Sequence, residues 1–137
     1  EEDKQKYRLP TEAEWEWAAR CGSAGMFAWG DDWHAGGDYE WYDVNSEGHT
    51  HPVGQKRPNA WGLYDSNGNV VEWCGDWHLN PFPQADVSDP TGPFLSGGAR
   101  VLRGGSFMDA ATPYTNRGSF SPAISMIHCG FRVCREL

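Results

Sequence analysis

The sequence predicts a single α+β domain built from short strands, one or two helices and long ordered loops. Three observations support this: one clearly marked helix start, three short strand candidates, and 17 glycines alongside 14% aromatic residues. In such a mixture, indole and phenol rings fill the interior while glycines permit tight turns. A chain of 137 residues suffices for one core and is short for two domains, so we expect one domain over residues 1–137.

The helix start lies at Thr11, which Glu14 follows three positions later in a capping-box pattern. The hydroxyl accepts one unpaired N–H of the first turn, and the carboxylate accepts another. Glycine at position 22 favours termination there. We therefore predict a helix from about Glu12 to Cys21. The residues predicted to face the core from this helix are Ala13, Trp17 and Ala18.

Short β-branched and aromatic runs predict the strands, and neither helical nor strand periodicity persists over residues 22–58. Aromatic residues are frequent in that segment, which indicates ordered loops. The strand candidates are Val70–Cys74, Val101–Arg103 and Phe131–Cys134. The expected aromatic anchors of the long loop are Trp29, Trp33, Trp41 and Tyr42. A second, proline-marked loop contains Pro81, Pro83, Pro90 and Pro93.

The net charge of −8 argues against general affinity for nucleic acid or for anionic membranes. No stretch has the length and apolarity of a membrane-spanning helix. The four cysteines form no C-x-x-C pair. Free thiols in a reducing compartment are expected, with one or two disulfides as the alternative.

Four segments, in order, resemble the formylglycine-generating-enzyme (sulfatase-modifying factor) domain. They read YRLPTEAEWE at 7–16, PNAWGLYD at 58–65 continuing into GNVVEW at 68–73, RVLRGGSF at 100–107 and GFRV at 130–133. The resemblance implies a fold related to C-type lectins over nearly the whole chain. Because family domains carry a further N-terminal portion, we expect this chain to be a truncated or minimal form.

Within these motifs the glycines, the arginine and the tryptophans are expected to have a scaffold role. Gly104 and Gly105 are typical of a strand-to-loop corner that needs positive φ or close backbone approach. Arg132 is expected to pair with a buried carboxylate. The tryptophans expected in the core are Trp61, Trp73 and Trp77.

A metal loop is expected around residues 65–72, where oxygen-bearing side chains alternate about Gly68. Hard cations need several oxygens at once, which a tight turn can supply. The resemblance implies a structural calcium ion held by the side chains of Asp65 and Glu72 and by the carbonyl groups of Gly68 and Val70. The alternative is a plain Asn-Gly turn. No organic cofactor is expected, and no set of His and Cys residues has zinc spacing.

The resemblance also implies chemistry that this chain lacks the residues to perform. Formylglycine-generating enzymes carry a cysteine pair shortly after the Gly-Gly-Ser motif, where thiolates bind a soft metal and engage the substrate thiol. Here the segment reads GGSFMDAATPY without cysteine, and Cys129 lies outside it. The sequence therefore predicts the fold without this catalysis.

The segment from Phe107 to Cys129 has an unusual composition, because Lys, Glu, Gln and Trp are all absent from its 23 residues. These four types supply 22 of the first 106 residues, so about five would be expected in the segment. This resembles the variable proteins of diversity-generating retroelements, where adenine mutagenesis produces NNC codons. Such codons encode none of those residues or Met, so Met108 and Met126 require another codon origin.

We therefore predict a non-catalytic binding protein whose contact surface spans residues 107–128. A scaffold can display side chains of mixed character there, as antibody loops do. Phe107 and Ile127 are nevertheless expected to be the most buried, and Arg117 is expected to form a structural ion pair. The predicted ligand-binding residues are Phe107, Met108, Asp109, Ala111, Thr112, Tyr114, Asn116, Ser119, Phe120, Ser121, Ser125, Met126 and His128.

The expected partner is a protein or cell-surface ligand, with no direct insertion into a membrane. The retroelement resemblance implies a soluble prokaryotic or viral protein displayed at a surface. Two alternatives stay open, namely an enzyme related to formylglycine generation and a structural or assembly subunit. A carbohydrate lectin is disfavoured because the chain has no Glu-Pro-Asn or Gln-Pro-Asp triplet.

Overall fold

The computed structural model describes residues 6–78 and 98–136, and in these ranges it is an α+β fold with two helices and two small sheets. The helices are α1 (Glu12–Arg20) and α2 (Gly36–Tyr39), with a 3₁₀ turn at Trp33–Ala35. The strands are β1 (Tyr7–Arg8), β2 (Val71–Trp77), β3 (Arg100–Arg103), β4 (Gly118–Phe120), β5 (Cys129–Gly130) and β6 (Cys134–Arg135). The predicted fold class is confirmed. The proline-marked loop lies outside the described residues.

The larger sheet has the order β4-β3-β2-β5, with β2 at its interior. Strand β3 pairs antiparallel with both β2 and β4, whereas β5 runs parallel to β2. The chain between β4 and β5 must therefore pass from one edge of this sheet to the other. The smaller sheet pairs β1 with β6 and so brings the two ends of the described chain together.

Helix α1 begins at the predicted capping box. The Thr11 hydroxyl accepts from the Glu14 N–H, and the Glu14 carboxylate accepts from the Thr11 N–H at 2.8 Å. The helix ends with Cys21 in the left-handed conformation at φ 45°, one residue before Gly22. The predicted cap is confirmed. It could be predicted because both of its hydrogen bonds join residues that are three positions apart in the sequence.

The predicted inward stripe of α1 is wrong. Trp17 is 69% exposed, and the buried positions are Glu12, Trp15 and Ala19. Glu12 can be buried because Arg103 and Arg117 pair with its carboxylate. The core cluster consists of Trp15, Ala19, Cys74, Val101 and Tyr114.

Three other sequence predictions need correction. The predicted strand at Phe131–Cys134 is replaced by two short strands, because β5 ends at Gly130, just before this range, and β6 begins at its last residue, Cys134. Trp61, predicted to be core, is 47% exposed, and Trp33, predicted to be an anchor, is also exposed. Trp29 does anchor the long loop, because it stacks between the rings of Phe27 and Tyr39.

Candidate ligand-binding surface

The segment that begins at Phe107 is fixed to the scaffold by a two-glycine corner. Gly104 and Gly105 have φ of +96° and +70°, and a Cβ on Gly105 would lie 2.5 Å from the Thr112 hydroxyl. Phe107 follows the corner with its side chain buried. Its N–H donates to the Asn69 carbonyl at 2.9 Å, and its carbonyl accepts from the Ser46 hydroxyl at 2.8 Å. Phe107 is thus held on both sides, as its predicted burial requires.

A tight turn then presents Met108 and Asp109 at the surface. The Asp109 carboxylate accepts from the N–H and the hydroxyl of Ser106 at 2.8 and 2.7 Å, and its carbonyl accepts from Asp43 N–H at 2.9 Å. Met108 lies between the two bonded residues in the sequence, and its side chain is exposed to solvent. The turn is therefore ordered although its side chains are exposed.

Two predicted contact residues, Thr112 and Tyr114, belong to the core instead. Thr112 is buried, and its carbonyl accepts from Asn67 Nδ2 at 2.6 Å. Tyr114 is fully buried, its N–H donates to the Met26 carbonyl, and burial raises the pKa of its phenol. With Phe107, these residues cannot contact a ligand in this conformation. Composition and chain position do not reveal which side chains of a loop point inward.

After Tyr114 the segment is tied to α1 and then joins the larger sheet. Arg117 Nε donates to Glu12 Oε1 at 2.7 Å, which confirms the predicted ion pair. Strand β4 follows directly, with Phe120 39% exposed at the edge of the sheet. Ile127, predicted to be buried, is 82% exposed, and Ile124 is also exposed. These two isoleucines were not among the predicted contact residues.

The remaining predicted contact residues are accessible to different degrees. Those classed as exposed are Met108, Asp109, Asn116, Phe120 and Ser125, and those partly buried are Ala111, Ser119, Ser121, Met126 and His128. Apolar, hydroxyl, amide, carboxylate and imidazole groups are therefore all represented. This combination favours adaptable contact with a large partner over one fixed chemistry.

A buried carboxyl group lies near the backbone of Thr112. Glu40 is fully buried, and neither of its oxygens has a hydrogen-bond partner of good geometry among the described residues. Burial raises the pKa of Glu40 to about 7, an effect partly offset by the nearby backbone N–H of Thr112. Asp43 raises it further, while Lys56 lowers it. Glu40 is thus mainly protonated at mildly acidic pH, when its burial costs least.

The predicted calcium loop contains one unsatisfied acceptor. Asp65 Oδ2 accepts from Gly54 N–H at 2.7 Å, whereas Oδ1 is buried without a partner in the described part of the chain. Glu72 is already engaged, since its Oε2 accepts from Trp15 Nε1 and Arg132 Nε, both at 2.6 Å, and Oε1 accepts from Arg132 at 2.7 Å. An ionised carboxylate has about four lone-pair sites, so Glu72 retains capacity for one more partner.

These residues fit a hard cation through a limited set of groups. Within residues 6–78 and 98–136, no cluster of three or more His, Cys, Asp or Glu side chains has metal-binding geometry. Calcium would therefore depend on the carboxylates of Asp65 and Glu72 together with backbone carbonyls. Arg132 pairs with the buried Glu72 as predicted, and its positive charge weakens any cation bound beside it.

All four cysteines are free thiols in the structure. Cys21 and Cys74 are buried free thiols, and Cys129 and Cys134 are free thiols in different sheets. Burial raises the pKa of Cys74, Cys129 and Cys134, which disfavours the nucleophilic thiolate.

The described residues contain no helix long and apolar enough to cross a membrane. Comparison with known proteins places the whole described fold in one family. The family model of the sulfatase-modifying factor enzyme 1-like domain matches residues 2–137 of this chain.

Three relatives illustrate the range of this family. The formylglycine-generating enzyme of Streptomyces coelicolor is 44% identical over 94% of this chain and 46% of its own length. Treponema denticola variable protein 1 superposes with a TM-score of 0.88 and 39% identity over 97% of this chain and 49% of its own. PvdO from Pseudomonas aeruginosa gives a TM-score of 0.86 with 32% identity over 97% of this chain and 54% of its own.

The chain thus spans about half the length of the relatives it matches. The residues that the family model matches include the capping box of α1, the two-glycine corner and residues 107–128. On this evidence the chain belongs to the sulfatase-modifying factor enzyme 1-like domain family.

Proposed function

We propose that this protein is a non-catalytic ligand-binding protein whose contact surface is formed by residues 107–128. The observation that carries the proposal is the alternation of anchors and displayed residues along this segment. Phe107, Thr112 and Tyr114 are buried and Arg117 is paired with Glu12. The residues between them are exposed, except Ala111 and Pro113, which are partly buried. A loop fixed in this way can present variable side chains without unfolding the scaffold.

The displayed residues support binding to a protein or a cell-surface ligand. Met108, Phe120, Ile124 and Ile127 supply apolar area, and the exposed polar residues between them supply hydrogen-bonding groups. Exposed apolar residues with a polar rim are typical of interaction surfaces. The net charge of −8 disfavours a nucleic-acid ligand.

The same segment lacks the groups that formylglycine generation uses. Residues 107–128 contain no cysteine, and the Asp109 carboxylate is held by Ser106. A soft metal would find no thiolate pair there. Similarity to the Streptomyces coelicolor enzyme therefore supports a shared scaffold more strongly than a shared reaction.

We further propose that the surface is diversified by a retroelement, as the absence of Lys, Glu, Gln and Trp from residues 107–129 suggests. Similarity to Treponema denticola variable protein 1 supports this origin and, with it, display at a cell or virion surface. Sequencing the gene and its neighbourhood in several isolates tests it. We expect substitutions confined to these codons, beside a near-identical template and a reverse transcriptase. A uniform segment without a template would contradict it.

An enzymatic function is the second candidate, because the Streptomyces coelicolor enzyme is 44% identical. Incubating the protein with copper, a reductant, dioxygen as the oxidant and a cysteine-containing sulfatase peptide tests it, with the mass of the peptide as the readout. We expect no conversion to formylglycine. Conversion that depends on Cys129 or Cys134 would instead favour the enzyme.

Calcium is proposed as a structural ion of the loop at residues 65–72. The side chains of Asp65 and Glu72 and the carbonyl groups of Gly68 and Val70 would hold it. Its role would be to neutralise the buried carboxylate oxygen of Asp65, which has no partner among the described residues.

A further inference from the structure

An open groove lies between α1 and the larger sheet, outside the segment of residues 107–114. Its volume is about 1280 Å³. Helix α1 contributes Ala13 and Trp17, β2 contributes Trp73, and β3 contributes Arg100. Pro122, from the chain that follows β4, closes one side. Concave sites of this kind, apolar with a few polar groups, are where small ligands bind.

The apolar wall of the groove is unusually exposed. Trp17 is 69% exposed and meets Trp61, which is 47% exposed, in an edge-to-face contact with ring centroids 4.4 Å apart. A buried indole would stabilise the fold through the apolar area that it removes from water, whereas the exposed ring of Trp17 contributes little stability in this way. Its exposed face is instead available to an aromatic ligand.

Two arginines line the groove, Arg8 and Arg100, and they differ in their partners. Arg8 is neutralised by Glu14, through two hydrogen bonds of 2.6 Å each. The same pairing lowers the pKa of Glu14 to about 2, so the pair stays ionised at neutral pH. Polar groups at this end of the groove therefore satisfy one another.

Arg100 is different, because no carboxylate among residues 6–78 and 98–136 forms an ion pair with it. Its guanidinium lies 3.9 Å from the ring centroid of Trp77 and donates to the Gly75 carbonyl. These contacts fix the orientation of the guanidinium and leave further N–H groups to donate. A positioned guanidinium is well suited to a carboxylate.

We propose that this groove binds a small carboxylic acid with an aromatic body. Its carboxylate pairs with Arg100, and its ring packs against Trp17 and Trp73. Among the described residues that line the groove, Arg100 is the one cation without an ion-pair partner, and its position beside an apolar wall matches a monoanion of this type. The proposed contact surface at residues 107–128 contributes only Pro122 to the described lining of the groove. Neither Arg100 nor Trp17 belongs to that surface, so this proposal does not depend on it.

Titration of the full chain with 1-naphthylacetate, followed by calorimetry, tests the proposal, and 1-naphthylacetamide serves as the neutral analogue. We expect saturable one-to-one binding of the acid and at least about tenfold weaker binding of the amide. Arg100→Gln should weaken acid binding by at least about tenfold and leave amide binding unchanged. Trp17→Ala should weaken both ligands, since the ring contact is common to them.

Arg57→Gln is the matched control, because it removes the same charge from an exposed residue outside the groove lining. It should leave both affinities unchanged. Circular dichroism of each variant establishes folding, and the comparison of acid with amide uses the unaltered chain. Equal affinity for acid and amide, equal affinity in Arg100→Gln, or no binding at millimolar acid would each overturn the proposal.

Discussion

Arg117 and Glu12 form an ion pair 2.7 Å long that joins residues 105 positions apart in the sequence. Glu12 begins α1, and Arg117 lies in the proposed contact segment just before β4. Both side chains are largely buried, at 18% and 10% exposure. The pair therefore connects the helix that the capping box defines to the segment that we propose to vary.

Replacement of Arg117 by leucine should destabilise the protein by roughly 1–3 kcal/mol. The buried Glu12 carboxylate would lose its shorter ion pair and, among the described residues, keep only the one with Arg103. Urea denaturation measures this change. Arg57→Leu is the control, since its ion pair with Asp38 is exposed on both sides and should be worth at most about 1 kcal/mol. Equal losses in the two variants would show that the Arg117 pair has no structural role.

Tyr114 and Phe120 should respond differently to replacement by alanine. Tyr114 is fully buried in the core cluster, so Tyr114→Ala should cost roughly 3–5 kcal/mol, as large-to-small core changes do. Phe120 is 39% exposed, so Phe120→Ala should cost less than about 2 kcal/mol and act mainly on ligand binding. Thermal unfolding of both variants checks this order. If Tyr114→Ala were as stable as the unaltered protein, Tyr114 would not be a core residue and would again be a candidate for the contact surface.

Tyr114 is buried and Ile127 is exposed, although the sequence around them does not distinguish the two. The capping box of Thr11 and Glu14 could be predicted because both partners lie within one turn. Tyr114 lies in the connection between β3 and β4, and Ile127 lies in the connection that crosses from β4 to β5. The burial of the first and the exposure of the second depend on how these two connections run over the fold. Hydrophobicity alone would predict both to be buried, and nothing local distinguishes them.

The orientation of α1 shows the same limit. Apolar spacing favours Trp17 as the inward residue, yet Glu12 is buried in its place. The reason is a set of long-range ion pairs, because Arg103 and Arg117 both reach the Glu12 carboxylate. By contrast, the ion pairs of Arg117 and Arg132 were predicted from the family resemblance, without their partners being named.

Glu40 should make the stability of the fold depend on pH. Its pKa is raised to about 7 by burial, from an ordinary value near 4.5. Below pH 4.5 the carboxyl is protonated in both the folded and the unfolded chain. As the pH rises toward 7, only the unfolded chain releases the proton, so stability falls and then levels off.

Glu40→Gln should therefore stabilise the protein by less than about 1 kcal/mol at pH 5 and by up to roughly 3 kcal/mol at pH 8. Urea denaturation of both proteins at the two pH values measures the difference. Glu47→Gln is the control, because Glu47 is exposed and should change stability equally at both pH values. A Glu40→Gln effect that is the same at pH 5 and pH 8 would contradict an elevated pKa.

Calcium should raise the melting temperature through Asp65. A bound cation would satisfy the buried Oδ1 of Asp65, which has no partner among the described residues. At calcium concentrations about a hundred times the dissociation constant, the gain would be about 3 kcal/mol, or several degrees for a domain of this size. Differential scanning calorimetry with calcium and then with chelator measures it, and magnesium tests ion selectivity. Asp65→Asn should abolish the shift, whereas Glu47→Gln should retain it. Identical melting temperatures in calcium and in chelator would mean that residues 65–72 form a turn that needs no metal.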